Sequence, residues 1–429
     1  MPAQPAETSR TKILYLLLGV TIIAQIDRNA MSMLIEPIGD EFLLSDFERG
    51  FLLGPAFVIF FALFGIPFGM WADRGNRRNI ISLAMTVWSL LTIACGMAVG
   101  FISMALARMG VAIGEAGSNP PAYSMITDLY EEHERGTATG IYSMGPALGI
   151  MIGFSAAGLL TATIGWRGAF FVFGVPGILL ALYIYFFSTE PERTATAEQA
   201  EEEVKFPPLF STLKLMLGQK TMRHLLAAGA LAAFVGIGFS NWLPPYFDWA
   251  FPEISVITVG ISLGLLIGIV NGGGTFLGGY ISDRLGIKDV RWRLWSICIA
   301  IFLGWPIGVG AFLADNYWLV LAFIALPAFV ALFHLASLFM LVQQLVDVRM
   351  RATAIAVLLL TNNLIGGMGP AYVGQVSDML EPSLGVDSIK WGLASLVLFA
   401  FWAAIHFFLA SRHLKEDLAR VQARGAGGP

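Results

Sequence analysis

Twelve apolar runs of helix length follow one another along this chain and leave little room for any other kind of segment. They fall near 13–36, 47–71, 79–99, 102–127, 137–162, 168–188, 222–247, 257–281, 292–313, 317–342, 351–378 and 389–411. About 20 apolar residues in a helix cross the roughly 30 Å hydrocarbon core of a bilayer. Inside that core only helices and closed barrels satisfy their backbone groups. The runs therefore predict an all-α membrane protein with twelve transmembrane helices. Only 13% of the residues are charged, about half the usual 25% or so of a soluble protein. A net charge of −4 gives no reason to expect a nucleic-acid partner. Cys95 and Cys298 both lie in apolar runs and are too few for a disulfide framework. The first run is too long for a signal-peptide core, so no cleavage is expected.

Most connections between runs are short. The exception is 189–220, a Thr/Ala/Glu-rich tract from Glu190 to Lys205 followed by Pro207 and Pro208. It divides the chain into an N-terminal six-helix bundle (1–188), a cytoplasmic linker (189–220) and a C-terminal six-helix bundle with a tail (221–429). With a cytoplasmic N-terminus, 21 of the 26 basic residues fall on the cytoplasmic side, among them Arg74, Arg77, Arg78, Arg284, Arg291, Arg293, Arg349 and Arg351. Arg49, Arg167 and Lys390 fall on the other side, and Arg28 and Arg108 lie within runs. This positive-inside asymmetry predicts both termini in the cytoplasm, and a bacterial inner membrane is the expected location.

A repeat supports the two-bundle reading. Gly69 to Arg74 after the second run and Gly279 to Arg284 after the eighth both read Gly-x-x-x-Asp-Arg, 210 residues apart. The small glycine permits close helix approach. Asp73 and Asp283 are placed to accept hydrogen bonds from a neighbouring helix N-terminus. Arg74, Arg77 and Arg284 pin the loops on the cytoplasmic side. A topogenic charge cluster without a gating role would look the same. Duplication of this kind is how transporter folds place a site between two rocking halves.

With this repeat the sequence resembles the major facilitator superfamily over nearly its whole length. Asp27-Arg28 in the first run, Asp73-Arg74-x-Asn76-Arg77 after the second, and Gly114-Glu115-Ala116 leading to Asp128-Leu129 resemble the spinster-like lipid transporters. The resemblance implies two pseudo-symmetric six-helix bundles working by alternating access. It also implies proton coupling and an amphipathic lysolipid- or sphingolipid-like substrate. The Asp-Arg pair is also similar to that of organic anion/proton symporters, which keeps a small anionic substrate as the alternative. Asn76 stands where most of the superfamily has Gly, and the expectation is that it tolerates the left-handed turn. Protons and membrane lipids are the other expected partners. No cofactor is expected, and the chain is expected to act as a monomer.

The stretch from Leu106 to Pro121 carries Arg108 and Glu115 seven residues apart, on one helix face. An ionised side chain in the bilayer core costs about 2.5–3.5 kcal/mol on insertion scales, so each needs a partner, water or a proton. Asp27 lies about 21 Å along the first run and Glu115 about 20 Å along the fourth, at 1.5 Å per residue. Both carboxyls are therefore expected near mid-bilayer, with Arg28 or Arg108 facing Glu115. Protonation of Glu115 would free an arginine and bias a rocking equilibrium, with Asp27 sharing the proton-coupling role. Arg28 and Arg108 are also candidates to hold an anionic head group. A static ion pair between two helices would use the same residues.

Gly145, Gly149 and Gly153 in the fifth run, and Gly260, Gly264, Gly268 and Gly272 in the eighth, are spaced by four and make two stripes. They are expected to face each other where the halves slide. In the second half Asn241, Trp242, His334, Asn362 and Tyr372 are candidates to line a substrate cavity, Tyr372 within a Gly366–Tyr372 stretch that resembles the spinster-like eleventh helix. A membrane enzyme is the competing class. The five histidines are scattered, with no HxxxH, CxxC or GxSxG pattern.

Overall fold

The computed structural model describes residues 7–193, 209–347 and 350–426. Residues 194–208 of the linker and Arg349 lie outside the described residues. Among the described residues the regular structure is helical throughout, and ten stretches are long and apolar enough to cross a membrane. One of them, His133–Phe187, has 55 residues. At 1.5 Å per residue it would be about 80 Å long, more than twice the bilayer core. Gly165, at φ 75°, breaks it into two. Phe101–Leu129, the stretch holding Arg108 and Glu115, completes the twelve. The chain is an all-α, multi-pass membrane protein.

Two compact units emerge: Met1–Thr196 with Leu243–Gly268, and Ala197–Trp242 with Ile269–Pro429. The first contains α1 (Glu7–Phe42), α2 (Asp46–Leu53), α3 (Pro55–Arg74), α4 (Arg77–Gly96), α5 (Phe101–Ala116), α6 (Asn119–Leu129), α7 (Glu132–Tyr142) and α8 (Gly145–Phe187). The second is built from α9 (Leu209–Gly218), α10 (Lys220–Ala250), α11 (Val256–Gly286), α12 (Trp292–Gly310), α13 (Tyr317–Ala331), α14 (Leu335–Gln344), α15 (Arg351–Gly366), α16 (Gly369–Leu384) and α17 (Ser388–Ala426). Residues Leu243–Gly268, which end α10 and begin α11, pack with the first unit.

Local chemistry fixes the breaks between helices. α1 stops at Leu43, which adopts φ 54°, and the Leu44 N–H returns to the Gly39 carbonyl at 2.9 Å. That six-to-one bond is the Schellman way of ending a helix. Ser45 then opens α2 with a capping box to Glu48. Pro120, Pro121, Pro146 and Pro370 fall in the first turns of α6, α8 and α16, where a missing N–H costs nothing. The expectation for Asn76 is corrected: its backbone is extended (φ −77°, ψ 110°), and its side chain caps α4 by accepting the Asn79 N–H at 2.9 Å. Asn suits that position as an N-cap, not as a left-handed residue.

Glycines set the helix spacing inside the first unit. A Cβ on Gly114 would lie 2.7 Å from the Trp88 Cβ, and one on Gly110 2.7 Å from Leu91, so α5 is pressed onto α4. The stripe Gly145, Gly149, Gly153 faces α1, at Thr21, Gln25 and Ile26. This corrects the expectation that it meets the eighth run. Gly260, Gly264 and Gly268 do meet α8, but over the carbonyls of Phe154, Met151 and Ala147. A four-residue spacing defines a face; it does not say which neighbour that face receives.

Candidate functional site

Four ionisable residues converge inside the first unit. Asp27, Arg108 and Glu115 are each 2% exposed or less. Arg28 donates from Nη2 to Glu115 Oε2 at 2.8 Å, and its side chain keeps 31% exposure. The structure thus takes Arg28 as the partner of Glu115. Arg28 also lies over the rings of Phe57 and Phe61, at 4.7 Å from each centroid. Arg108 lies over the same Phe57 ring at 5.0 Å. One aromatic ring therefore sits beside two guanidinium groups, an arrangement worth about 0.5–2 kcal/mol per cation between exposed and desolvated settings.

The helices supply this geometry directly. Asp27 and Arg28 are neighbours on α1, so they diverge by about 100°. Arg28 turns towards α3 and α5, while Asp27 turns to α4, where Thr92 Oγ1 donates to Asp27 Oδ2 at 3.2 Å. The close α4–α5 packing at Gly110 and Gly114 holds Arg108 and Glu115 in the same neighbourhood. The cluster is only half satisfied: Asp27 Oδ1, Glu115 Oε1, Arg28 Nε and Arg108 Nε are buried without a hydrogen bond. Unpaired buried polar atoms of this kind are costly and mark strain reservoirs or working groups. Glu115 holds one oxygen on a cation and leaves the other free to take a proton. Sequence reasoning missed Thr92, Phe57 and Phe61; the four-residue spacing of the two phenylalanines in the second run was the available signal.

A second hub lies where α4 begins. Arg77 is fully buried and donates to Asp128, to Glu190 Oε1 at 2.7 Å, to Ser124 Oγ at 2.9 Å and to the Pro191 carbonyl at 2.9 Å. Arg193 donates to the carbonyls of Ala72, Asp73 and Gly75. Asp73 itself offers its carbonyl, not its carboxylate, so the expected helix N-terminus partner is replaced by an arginine. Arg74 and Asp73 are exposed. In the second copy Asp283 lies 3.6 Å from Arg293, and Arg284 covers the Tyr280 ring.

The second-unit candidates are placed differently from one another. Trp242 is fully enclosed and donates its indole N–H to the Pro370 carbonyl at 2.8 Å, joining α10 to α16. His334, 5% exposed, borders a void of about 10 Å³, room for one water at most. Trp242 is spent on joining two helices, and His334 is buried beside that small void. Asn241 donates to the Ile237 carbonyl of its own helix. Tyr372 packs in an aromatic group with Phe234 and Phe399. Asn362 keeps a buried Oδ1 without a hydrogen bond.

The Major Facilitator Superfamily pattern matches residues 17–370. The chain belongs to that superfamily. Its structure is similar to the crystal structure of a bacterial homolog of the human lysosomal transporter Spinster, in an inward-facing and unoccupied conformation. The TM-score is 0.89 and the identity 30%, covering 96% of this chain and 99% of that one. The chain is thus a spinster-like superfamily transporter. It is also 29% identical to an MFS-type efflux pump of Mycolicibacterium smegmatis, over 92% of this chain and 90% of the relative. A hexuronate transporter of Bacillus subtilis is 27% identical, over 92% and 93%.

Proposed function

We propose that the chain is a proton-coupled secondary transporter of amphipathic, lipid-like molecules bearing an anionic group, working by alternating access. The observation that carries this reading is the half-satisfied Arg28–Glu115 pair. A proton on Glu115 removes the charge that holds Arg28. Arg28, the one member of the cluster with appreciable exposure, then has a guanidinium free for a phosphate or carboxylate. Asp27 is the second proton-carrying group, and Arg108 keeps the site electropositive. The Phe57–Phe61 face offers apolar contact to an acyl chain. The resemblance of the Asp27-Arg28 and Gly114-Glu115-Ala116 motifs to the spinster-like lipid transporters supports the lipid-like class. The domain boundaries of the sequence reading belong to the same proposal, as does gating by the two Asp-Arg loops and by the Gly264–Gly268 face. The charge asymmetry and the bacterial relatives support an inner-membrane location with both termini cytoplasmic.

A second reading has its own support. The hexuronate transporter of Bacillus subtilis is named for a small acid, and Arg28 with Arg108 would suit a compact carboxylate. Proteoliposomes with an imposed inward proton gradient separate the two. A fluorescent lysophospholipid should accumulate and an equal concentration of hexuronate should not. Accumulation of the acid alone would replace the lipid reading.

A further inference from the structure

Glu36 lies nine residues beyond Asp27 on α1, about 13 Å further along the helix. It is 6% exposed. Its Oε2 accepts from Arg49 Nη1 at 2.7 Å and from the Trp249 indole N–H. Its Oε1 is buried without a hydrogen bond. The residue lines a cavity of about 250 Å³, together with Asp40, Thr161, Pro244, Pro245 and Asp248. All of these residues belong to the first unit.

One turn of the chain builds this cluster. The left-handed Leu43 and the Ser45 capping box fold α2 back along α1, and Arg49 comes to lie across Gly39. A Cβ on Gly39 would collide with Arg49 Nε, so any larger residue would displace the guanidinium. Arg49 also reaches Asp40 at 3.0 Å and approaches Asp46 at 4.0 Å, and it covers the Trp249 ring. The ionisable groups facing this point are Glu36 and Asp40 from α1, Asp46 and Arg49 from α2, and Asp248 from α10. One cation therefore faces four carboxyls. Asp40 and Asp248 are exposed, and both border the cavity that reaches Glu36.

We propose that Glu36 is a second proton-binding site, filled through this cavity from the side opposite the basic loops, and that its protonation releases Trp249 and Arg49. In the step a hydronium gives its proton to Glu36 Oε1. One O–H bond forms, water leaves, and the carboxylate becomes a neutral acid that no longer holds the guanidinium by charge. Arg49 then remains on Asp40 and Asp46. The site goes beyond the coupling assigned to Glu115 and uses none of its atoms.

The test uses the full chain in lipid nanodiscs, taken from about pH 8 to about pH 5, the span over which a perturbed carboxyl titrates. Infrared difference spectra should show a protonated-carboxyl band that is lost in Glu36→Gln and retained in Glu115→Gln. Tryptophan emission should change over the same span in wild type and in Glu115→Gln, but not in Glu36→Gln or Trp249→Phe. Trp249→Phe leaves the carboxyl in place, so there the band should survive at a shifted frequency, an arm that does not depend on Glu36→Gln folding. A full band in Glu36→Gln, an unshifted band in Trp249→Phe, or the same emission change produced by sodium at fixed pH would each overturn the proposal. Glu115→Gln can lose transport with all these readings intact, so the two proposals fail separately.

Discussion

A Cβ on Gly149 would lie 2.5 Å from the Gln25 Cβ and 2.7 Å from the Ile22 carbonyl, whereas one on Gly140 meets nothing within 4 Å. Overpacking a tight contact costs about 1–3 kcal/mol. Gly149→Ala should therefore lower the melting temperature in detergent, and Gly140→Ala should leave it nearly unchanged. Arg28 makes a different kind of contact. Its planar guanidinium lies over two rings while it bonds Glu115, and a lysine ammonium cannot stack in that way. Arg28→Lys should cost about 0.5–2 kcal/mol of stability, the range of a desolvated cation–π contact. Equal melting curves for the Arg28→Lys variant and wild type would show that the rings add nothing. The charges themselves were legible in the sequence because apolar runs tolerate so few of them. Their partners were not: Arg28 and Arg108 were both open choices for Glu115, and only the structure shows Arg28 bonded to it.

At the scale of elements, Arg77 ties α4 to α6 and to the segment that follows α8. Arg77→Ala would leave Asp128 and Glu190 without their buried cation, at a cost of about 3–5 kcal/mol. The melting temperature should fall well below that of Arg78→Ala, whose side chain, among the described residues, bonds neutral groups. The loop between α11 and α12 is held otherwise. Hydrogen bonds from Arg291, then from Lys415, keep the Asp289 carboxyl well below the usual carboxylate range. A lowered value means the tether is complete above the ordinary value near 3.9 and is lost only as pH falls below it. Hydrogen exchange over residues 287–291 should be unchanged between about pH 7 and about pH 5 once the intrinsic rate is removed. Asp289→Asn should speed it at both pH values. The twelve helices were legible from run length. The break at Gly165 fell between the runs 137–162 and 168–188. The Arg49 turn was less legible, because it depends on a single backbone conformation that periodicity does not reveal. Arg49 read as a loop charge; Gly39 gives it room to fold back onto Glu36.

At the scale of the whole molecule, superfamily membership makes the chain a transporter, and protons are the driving ion of the proposed function. The second-unit candidates show how far sequence could go. Trp242 and His334 are polar groups in apolar runs, which means that some contact offsets their burial, but the contact is a hydrogen bond to a neighbouring helix in one case and a ring contact with Phe407 in the other. The proposed coupling depends above all on the Glu115 oxygen that has no hydrogen bond. Its most direct test is accumulation of the proposed amphipathic substrate by proteoliposomes under an imposed proton gradient, comparing wild type with Glu115→Gln. Wild type should concentrate substrate above equilibrium, while Glu115→Gln should only equilibrate it and keep exchange of labelled for unlabelled substrate. Full gradient-driven accumulation by Glu115→Gln would contradict the account.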